Sequence, residues 1–388
     1  MLRSRSLRLT LVLLAFAVTL LACSAPPAGP FPPPPGRLEA CTELDATITI
    51  PDADFRDYLH VRTGIPAGQP LTCGALRALD QLYLGATRSV RSLEGVEHLQ
   101  GVTRISLYEQ NLLTDAEFDR LGALVNNTSL GIYEAALLTS IEFVEAFVGL
   151  TSLQLDDTGL KTLAGVEDLT ELGTLFVRGN SALTSAAPVT DLVNLEVVQL
   201  TGSGVSSLEP FNGKPNLRRL MATNNALTSV GVRDLPALEE LQVTGNQIEA
   251  LPQFRDSGFP NLRLIAVGHN RLTDLAGLEG LTLRFLAASG NQLTTMHHIA
   301  DLTGVEDLYL DDNLLVDMTP LGSIEWTGDA TVWLGENCLG ALYFVESRLY
   351  SMPAGPNNEV WKDLTFTKGV NVHLGPLDDA RCNGQPGY

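Results

Sequence analysis

Side chains able to do chemistry are few in this chain and poorly spaced for it. The six histidines are His60, His98, His269, His297, His298 and His373, and no two have metal-binding spacing. His297 and His298 are adjacent, so one helix cannot present both on a single face; a surface turn is their expected setting. Asp156-Asp157 and Asp311-Asp312 have the composition of acid–base pairs or calcium ligands. The two pairs lie far apart along the chain. No GxSxG, P-loop or HExxH stretch occurs, so no acyl-transfer nucleophile, phosphate cradle or zinc pair is on offer. The sequence predicts a non-enzyme that needs neither cofactor nor metal.

What the chain repeats is a positional phrase, Leu-x-x-Leu-x-Leu-x-x-Asn-x-Leu. Leu238, Leu241, Val243, Asn246 and Ile248 form one copy, and Leu262, Ile265, Val267, Asn270 and Leu272 the next. Leu283, Leu286, Ala288, Asn291 and Leu293 follow, then Val305, Leu308, Leu310, Asn313 and Leu315. The asparagines lie 24 (270−246), 21 (291−270) and 22 (313−291) residues apart. This phrase resembles the leucine-rich repeat family, most closely the repeats of about 22 residues in bacterial internalins. The resemblance covers about Cys41 to Cys382. It implies an α/β fold: a curved solenoid with a parallel sheet on its concave face and short helical or 3-10 turns on its convex face. A capped, disulfide-bonded segment is expected at each end.

Twelve strand phrases can be counted, the first starting near Leu79 and the last near Asp329. The third is degenerate: Leu130 and Ile132 survive, but Ala135 replaces the asparagine. Before it, Thr114 to Asn127 reads as helix, with Phe118, Leu121, Leu124 and Val125 on one face. Thr87, Thr158 and Ser203 also stand at asparagine positions. In the family such asparagines bond the backbone of neighbouring turns, so Asn180, Asn225, Asn246, Asn270, Asn291, Asn313 and Asn337 are expected to be structural. Asp52 to His60 reads as a cap helix with Phe55, Tyr58 and Leu59 inward. Asn357 to Thr367 reads as a closing helix with Val360, Trp361 and Leu364 inward, before a last strand over Gly369 to Val372.

The N-terminus reads as a targeting segment. Arg3, Arg5 and Arg8 precede an uncharged run, Leu9 to Ala22, of 14 residues (22−9+1), short of the ~20 that span a bilayer. Leu20-Leu21-Ala22-Cys23 resembles a bacterial lipobox, which implies a lipidated Cys23 at the mature N-terminus. Ser24 after the cysteine resembles the sorting choice of outer-membrane lipoproteins. A proline-rich stretch to Arg37 then reads as an extended spacer. The expected order is 1–22 signal segment, 23–37 lipidated cysteine and linker, 38–78 N-terminal cap, 79–340 repeats and 341–388 C-terminal cap.

If Cys23 carries lipid, Cys41, Cys73, Cys338 and Cys382 remain, which allow three pairings. An exported chain meets an oxidising compartment. A solenoid would hold the two pairs tens of ångströms apart, so Cys41–Cys73 and Cys338–Cys382 are expected. Lys and Arg total 25 and Asp and Glu 45, a net −20; losing Arg3, Arg5 and Arg8 makes it −23 (22−45). Such a charge disfavours nucleic acid and anionic headgroups and suits a basic partner. The membrane would be met through the N-terminal lipid alone.

Alternation along each strand points leucines inward and their neighbours outward. The outward residues expected to bind are Tyr83, Tyr108, Glu109, Tyr133, Asp156, Phe176, Arg178, Met221, Tyr309, Asp311 and Trp333. Aromatic and acidic residues gather at the early and late repeats. A Gln- and Thr-rich middle is flanked by Arg218, Arg219, Arg263 and Arg284. Twelve strands would make a face of roughly 800 Å², the size of one side of a standard protein–protein interface. The predicted function is an envelope lipoprotein that binds a protein or peptide on its concave face. Binding of a carbohydrate or cell-wall glycan is the first alternative, and a purely structural envelope role the second.

Overall fold

A leucine at every second strand position gives each repeat one buried and one exposed edge, and stacking the repeats joins these into a single core. The computed structural model describes residues 39–85, 89–339, 344–345, 348–349, 356–374 and 382. The cap comes first: strand β1 (Thr47–Ile48), helix α1 (Ala53–Thr63), strand β2 (Leu71–Thr72) and helix α2 (Cys73–Arg77). β1 and β2 pair antiparallel.

Helix α1 starts because Asp52, in extended conformation, accepts a hydrogen bond from Phe55 N at 2.9 Å. Gly64 stops it with a left-handed φ of 73°. The helix therefore ends three residues later than Asp52–His60 implied, and Asp52 is its cap. Phe55, Tyr58 and Leu59 are buried. Tyr58 Oη accepts from Tyr83 N at 2.9 Å, so the cap satisfies a backbone donor that the first repeat strand would otherwise leave open.

The repeats contribute β3 (Gln81–Leu84), β4 (Arg104–Tyr108), β5 (Ser129–Tyr133), β6 (Ser152–Asp156), β7 (Thr174–Arg178) and β8 (Val197–Gln199). There follow β9 (Arg219–Met221), β10 (Glu240–Gln242), β11 (Leu264–Ala266), β12 (Phe285–Ala287), β13 (Thr303–Tyr309) and β14 (Glu325–Trp333). The C-terminal segment adds a hairpin, β15 (Phe344–Val345) with β16 (Arg348–Leu349), then helix α4 (Pro356–Lys362) and β17 (Asn371–His373). Strands β3 to β14 line up in chain order, β17 closes the row against β14, and the result is one thirteen-stranded sheet. Every pair in it is parallel. The twelve phrases and the closing strand are all present, the last shifted to Asn371–His373.

Returning segments use 3-10 turns such as Val96–His98, Glu142–Ala146, Ala187–Val189 and Thr319–Ser323. The predicted helix at Thr114–Asn127 is a short α3 (Asp115–Phe118) continued by a 3-10 turn to Ala123. Phe118, Leu121 and Leu124 are buried, whereas Val125 is only half-buried, beyond the end of that turn. Between sheet and turns lies one continuous aliphatic core; each leucine in it is worth ~1.5–3 kcal/mol of burial.

The asparagines form the expected ladder. Asn291 Nδ2 donates to Val267 O (3.1 Å) and Ala288 O (2.9 Å), and its Oδ1 accepts from Leu272 N (3.0 Å). Asn180, Asn225, Asn246, Asn270, Asn313 and Asn337 reach the preceding repeat in the same way. Thr158 substitutes by donating to Asn180 Oδ1. Gln110 fills an equivalent place, donating to Tyr108 O at 2.7 Å. Thr87 lies outside the described residues. Disulfides join Cys41 to Cys73 and Cys338 to Cys382, one at each end of the repeats. No helix among the described residues is long and apolar enough to cross a membrane.

Candidate functional site

The outer face of the sheet is built by register. Leu82 and Leu84 are at most 1% exposed, whereas Tyr83 between them is 53% exposed. Tyr83 aligns with Ser106, Gly131 and Gln154, and the row continues through Phe176, Gln199, Met221 and Gln242. Ala266, Ala287, Tyr309 and Trp333 complete the predicted column. His373 of β17 pairs with Trp333 and extends it by one.

In-register parallel strands ~4.8 Å apart force like rings to stack. Tyr108 pairs with Tyr133, and their rings stack at 4.4 Å with a 6° angle between planes. Tyr83 joins Tyr108 at 5.4 Å. At the far end Trp333 lies between Tyr309 (6.1 Å) and His373 (4.0 Å), nearly parallel to both. Phe285 meets Tyr309 at 5.3 Å.

Polar side chains tie the early repeats together. Tyr133 Oη donates to Gln154 Oε1 (3.0 Å), and Gln154 Nε2 donates to Asp156 Oδ2 (2.6 Å). Arg178 grips Asp156 with two bonds, Nε to Oδ1 (2.9 Å) and Nη2 to Oδ2 (2.5 Å). Asp156 therefore stands on the outer face yet is only 6% exposed: the expected displayed carboxylate is consumed by its neighbours. Arg178 remains 42% exposed at its side chain. Its guanidinium is held protonated above the ordinary arginine range by the bonds to Asp156. Burial, then the adjoining Tyr108, push the Tyr133 phenol up to about 12.

The residue immediately before the ladder position adopts left-handed backbone, Asn224 (φ 55°) among them. Glu109, Glu134, Asp157, His269, Asp312 and Glu336 occupy this place with φ between 50° and 57°. Gly179, Gly202, Gly245 and Gly290 occupy it in other repeats. Acidic side chains thus line the rim of the sheet at both ends, and glycine serves most of the middle. Asp311 accepts from Ser289 Oγ at 2.7 Å. Phe176 and Met221 are half-buried in the central column. Two of the four residues of the predicted basic flank are matched by local acids: Arg219 faces Glu240 at 3.7 Å, and Arg284 holds Glu306 at 2.6 Å.

The structure thus brings Tyr83, Tyr108 and Tyr133 into one group and Tyr309 and Trp333 into another, on the same sheet face. Phe285 and His373 belong with the second group and were not anticipated. Phe285 occupies the first outward position of its strand, level with Asp307 and Leu264. Treating the closing strand as a thirteenth copy of the phrase would have found His373. His297 and His298 lie in a 3-10 turn, as their adjacency implied. Among the described residues no three His, Cys, Asp or Glu side chains converge as a metal site would require. Cys23 lies outside the described residues.

No known protein family's sequence profile matches this chain, and no curated protein matches it significantly. Solved structures do match. An internalin from Listeria monocytogenes is 20% identical, with a TM-score of 0.56 over 74% of this chain and 90% of its own. A leucine-rich repeat protein of Leptospira interrogans is 18% identical, with a TM-score of 0.54 over 79% and 86%. A plant peptide hormone receptor, RGFR1, solved in complex with RGF2, is 19% identical, with a TM-score of 0.53 over 79% of this chain and 52% of its own. The repeated phrase, the thirteen-stranded parallel sheet, the two terminal disulfides and these likenesses together show that the chain has an internalin-like leucine-rich repeat fold.

Proposed function

We propose that this chain is an exported, lipid-anchored binding module that holds a protein or peptide on the concave, sheet-bearing face of its solenoid. The observation that carries the reading is the pair of ring clusters at opposite ends of one unbroken sheet face. Exposed Tyr and Trp match the composition of interface hot spots. The face is roughly 60 Å long for thirteen strands at ~4.8 Å, far longer than a small ligand needs. That the plant peptide hormone receptor of like fold was solved in complex with RGF2 agrees with the reading.

The stacks favour a protein over a glycan. Sugars dock on open ring faces, whereas Tyr108 and Trp333 each have neighbouring rings on both sides. These stacks offer edges and hydroxyls to a partner. Two disulfides agree with an oxidising compartment, and Leu20-Leu21-Ala22-Cys23 supplies the anchor. Two or more acyl chains would hold it stably, and Ser24 after the cysteine agrees with an outer membrane. Cys23→Ala is expected to abolish fatty-acid labelling and release the protein from the membrane fraction; continued labelling would contradict the anchor.

The test of function is capture by the immobilised full-length chain from envelope and host-cell extracts. One polypeptide should be retained by the native chain, lost with Tyr83→Ala/Trp333→Ala, and retained by a variant altered only on the turns. Retention of a glycan polymer instead would support the carbohydrate alternative. No face-dependent ligand of either kind would support a structural role.

A further inference from the structure

The early end of the face carries more than its tyrosines. Eight large apolar side chains are exposed among the described residues, and three of them, Tyr83, Leu112 and Leu137, belong to three consecutive repeats. Leu112 and Leu137 are 44% and 47% exposed. They lie 25 residues apart (137−112), the same interval as the stacked Tyr108 and Tyr133 (133−108). Their turns are neighbours, since Ala136 N donates to Asn111 Oδ1 at 3.3 Å. Leu112 and Leu137 therefore form an exposed apolar pair on neighbouring turns, four residues past the stacked Tyr108 and Tyr133 (112−108 and 137−133).

Between the rings and the leucines stand Glu109 and Glu134. The backbone ladder runs on through both, Glu109 N to Tyr133 O and Glu134 N to Asp156 O, each at 2.9 Å. Both side chains are exposed, and among the described residues no hydrogen bond or ion pair engages either carboxylate. Both are held at a left-handed φ of 54°, which four other repeats meet with glycine. Asp157 continues the row on the next repeat at φ 51°. The rim thus alternates ring, carboxylate and leucine in register, so a complementary segment must carry both cations and apolar side chains.

We infer that the rim formed by Tyr108, Tyr133, Glu109, Glu134, Leu112 and Leu137 docks a basic amphipathic segment of the partner protein. This rests on the protein-binding reading above and assigns one end of the face its ligand chemistry. The partner's apolar residues would cover Leu112 and Leu137 and the tyrosine edges, and its Lys or Arg side chains would meet the two glutamates. The docked charge is rim-exposed, so binding should weaken as salt rises.

The probe is a fluorescein-labelled amphipathic peptide of Leu and Lys, titrated against the full-length chain by fluorescence anisotropy. Its counterpart carries Glu in place of Lys. Glu109→Gln/Glu134→Gln and Leu112→Ser/Leu137→Ser should each weaken binding of the Lys peptide about tenfold or more, ~1.4 kcal/mol per decade. Glu171→Gln/Glu209→Gln changes the net charge equally on exposed positions away from the rim and should leave the affinity nearly unaltered. All six positions are exposed, so melting temperatures should not move. Equal losses in rim and control variants, or equal binding of the Glu peptide, would overturn the inference. If Trp333→Ala alone removes the Lys peptide, the basic segment sits at the far end. The inference then fails while the protein-binding reading stands.

Discussion

Single side chains divide in this molecule between those that hold repeats together and those left over for a partner. Asn291 is of the first kind: four backbone groups bond to it. Asn291→Ala strands buried donors and acceptors that water cannot reach, each worth ~1–3 kcal/mol. The expected loss is ~3 kcal/mol in urea denaturation, with binding of the Lys peptide unaffected. Tyr133 belongs to both kinds, being stacked, hydrogen-bonded and half-exposed. Burial pushes its phenol up from the ordinary 10.0 to about 12 in the fold. A raised value means the neutral form is favoured in the folded state. That stability is full below pH 10 and lost as pH rises towards about 12. Denaturation measured across that window should show the loss, and Tyr133→Phe should flatten it. An unchanged slope in Tyr133→Phe would place the titration elsewhere.

At the scale of elements, caps and strands follow separate rules, and the sequence exposed them unequally. Asp52 starts α1 through Phe55 N and also accepts from Arg91 N (2.9 Å) and Ser92 N (3.2 Å) of the first repeat. Asp52→Ala should cost ~1–2 kcal/mol by losing the helix cap, with a further loss from the cap-to-repeat bonds. Thermal melting with and without the substitution checks this; a change no larger than experimental scatter would mean the cap is not coupled to the array. The strands were legible because a period of two, with leucine on one side, admits only one phase. The 3-10 turns were legible from apolar residues three apart. Phe285 was missed because the outward columns were read from mid-strand onward, although its strand also exposes an earlier position. His373 was missed because the closing strand was not read as a copy of the phrase. The burial of Asp156 could not be read at all. It arises from Arg178 one strand away and 22 residues along the chain, and alternation says nothing about such a partner. The length of α1 turned on Gly64, a stop signal four residues past His60 (64−60).

At the scale of the whole molecule, stacking makes stability a sum of neighbour contacts and leaves one long face free of that duty. Inward and outward residues of the same strand should therefore respond to truncation in opposite ways. Tyr83 and Trp333, the two exposed aromatics at the ends of the column, are 53% and 40% exposed, whereas Leu241 and Leu308 are fully buried. The most direct test measures affinity for the captured partner and melting temperature on Tyr83→Ala, Trp333→Ala, Leu241→Ala and Leu308→Ala. The leucine variants should lose ~2–5 kcal/mol of stability and retain affinity wherever they remain folded. An aromatic that anchors the partner should lose ~2 kcal/mol of binding or more with little change in melting. Lowered melting of Tyr83→Ala and Trp333→Ala at unchanged affinity would contradict the account.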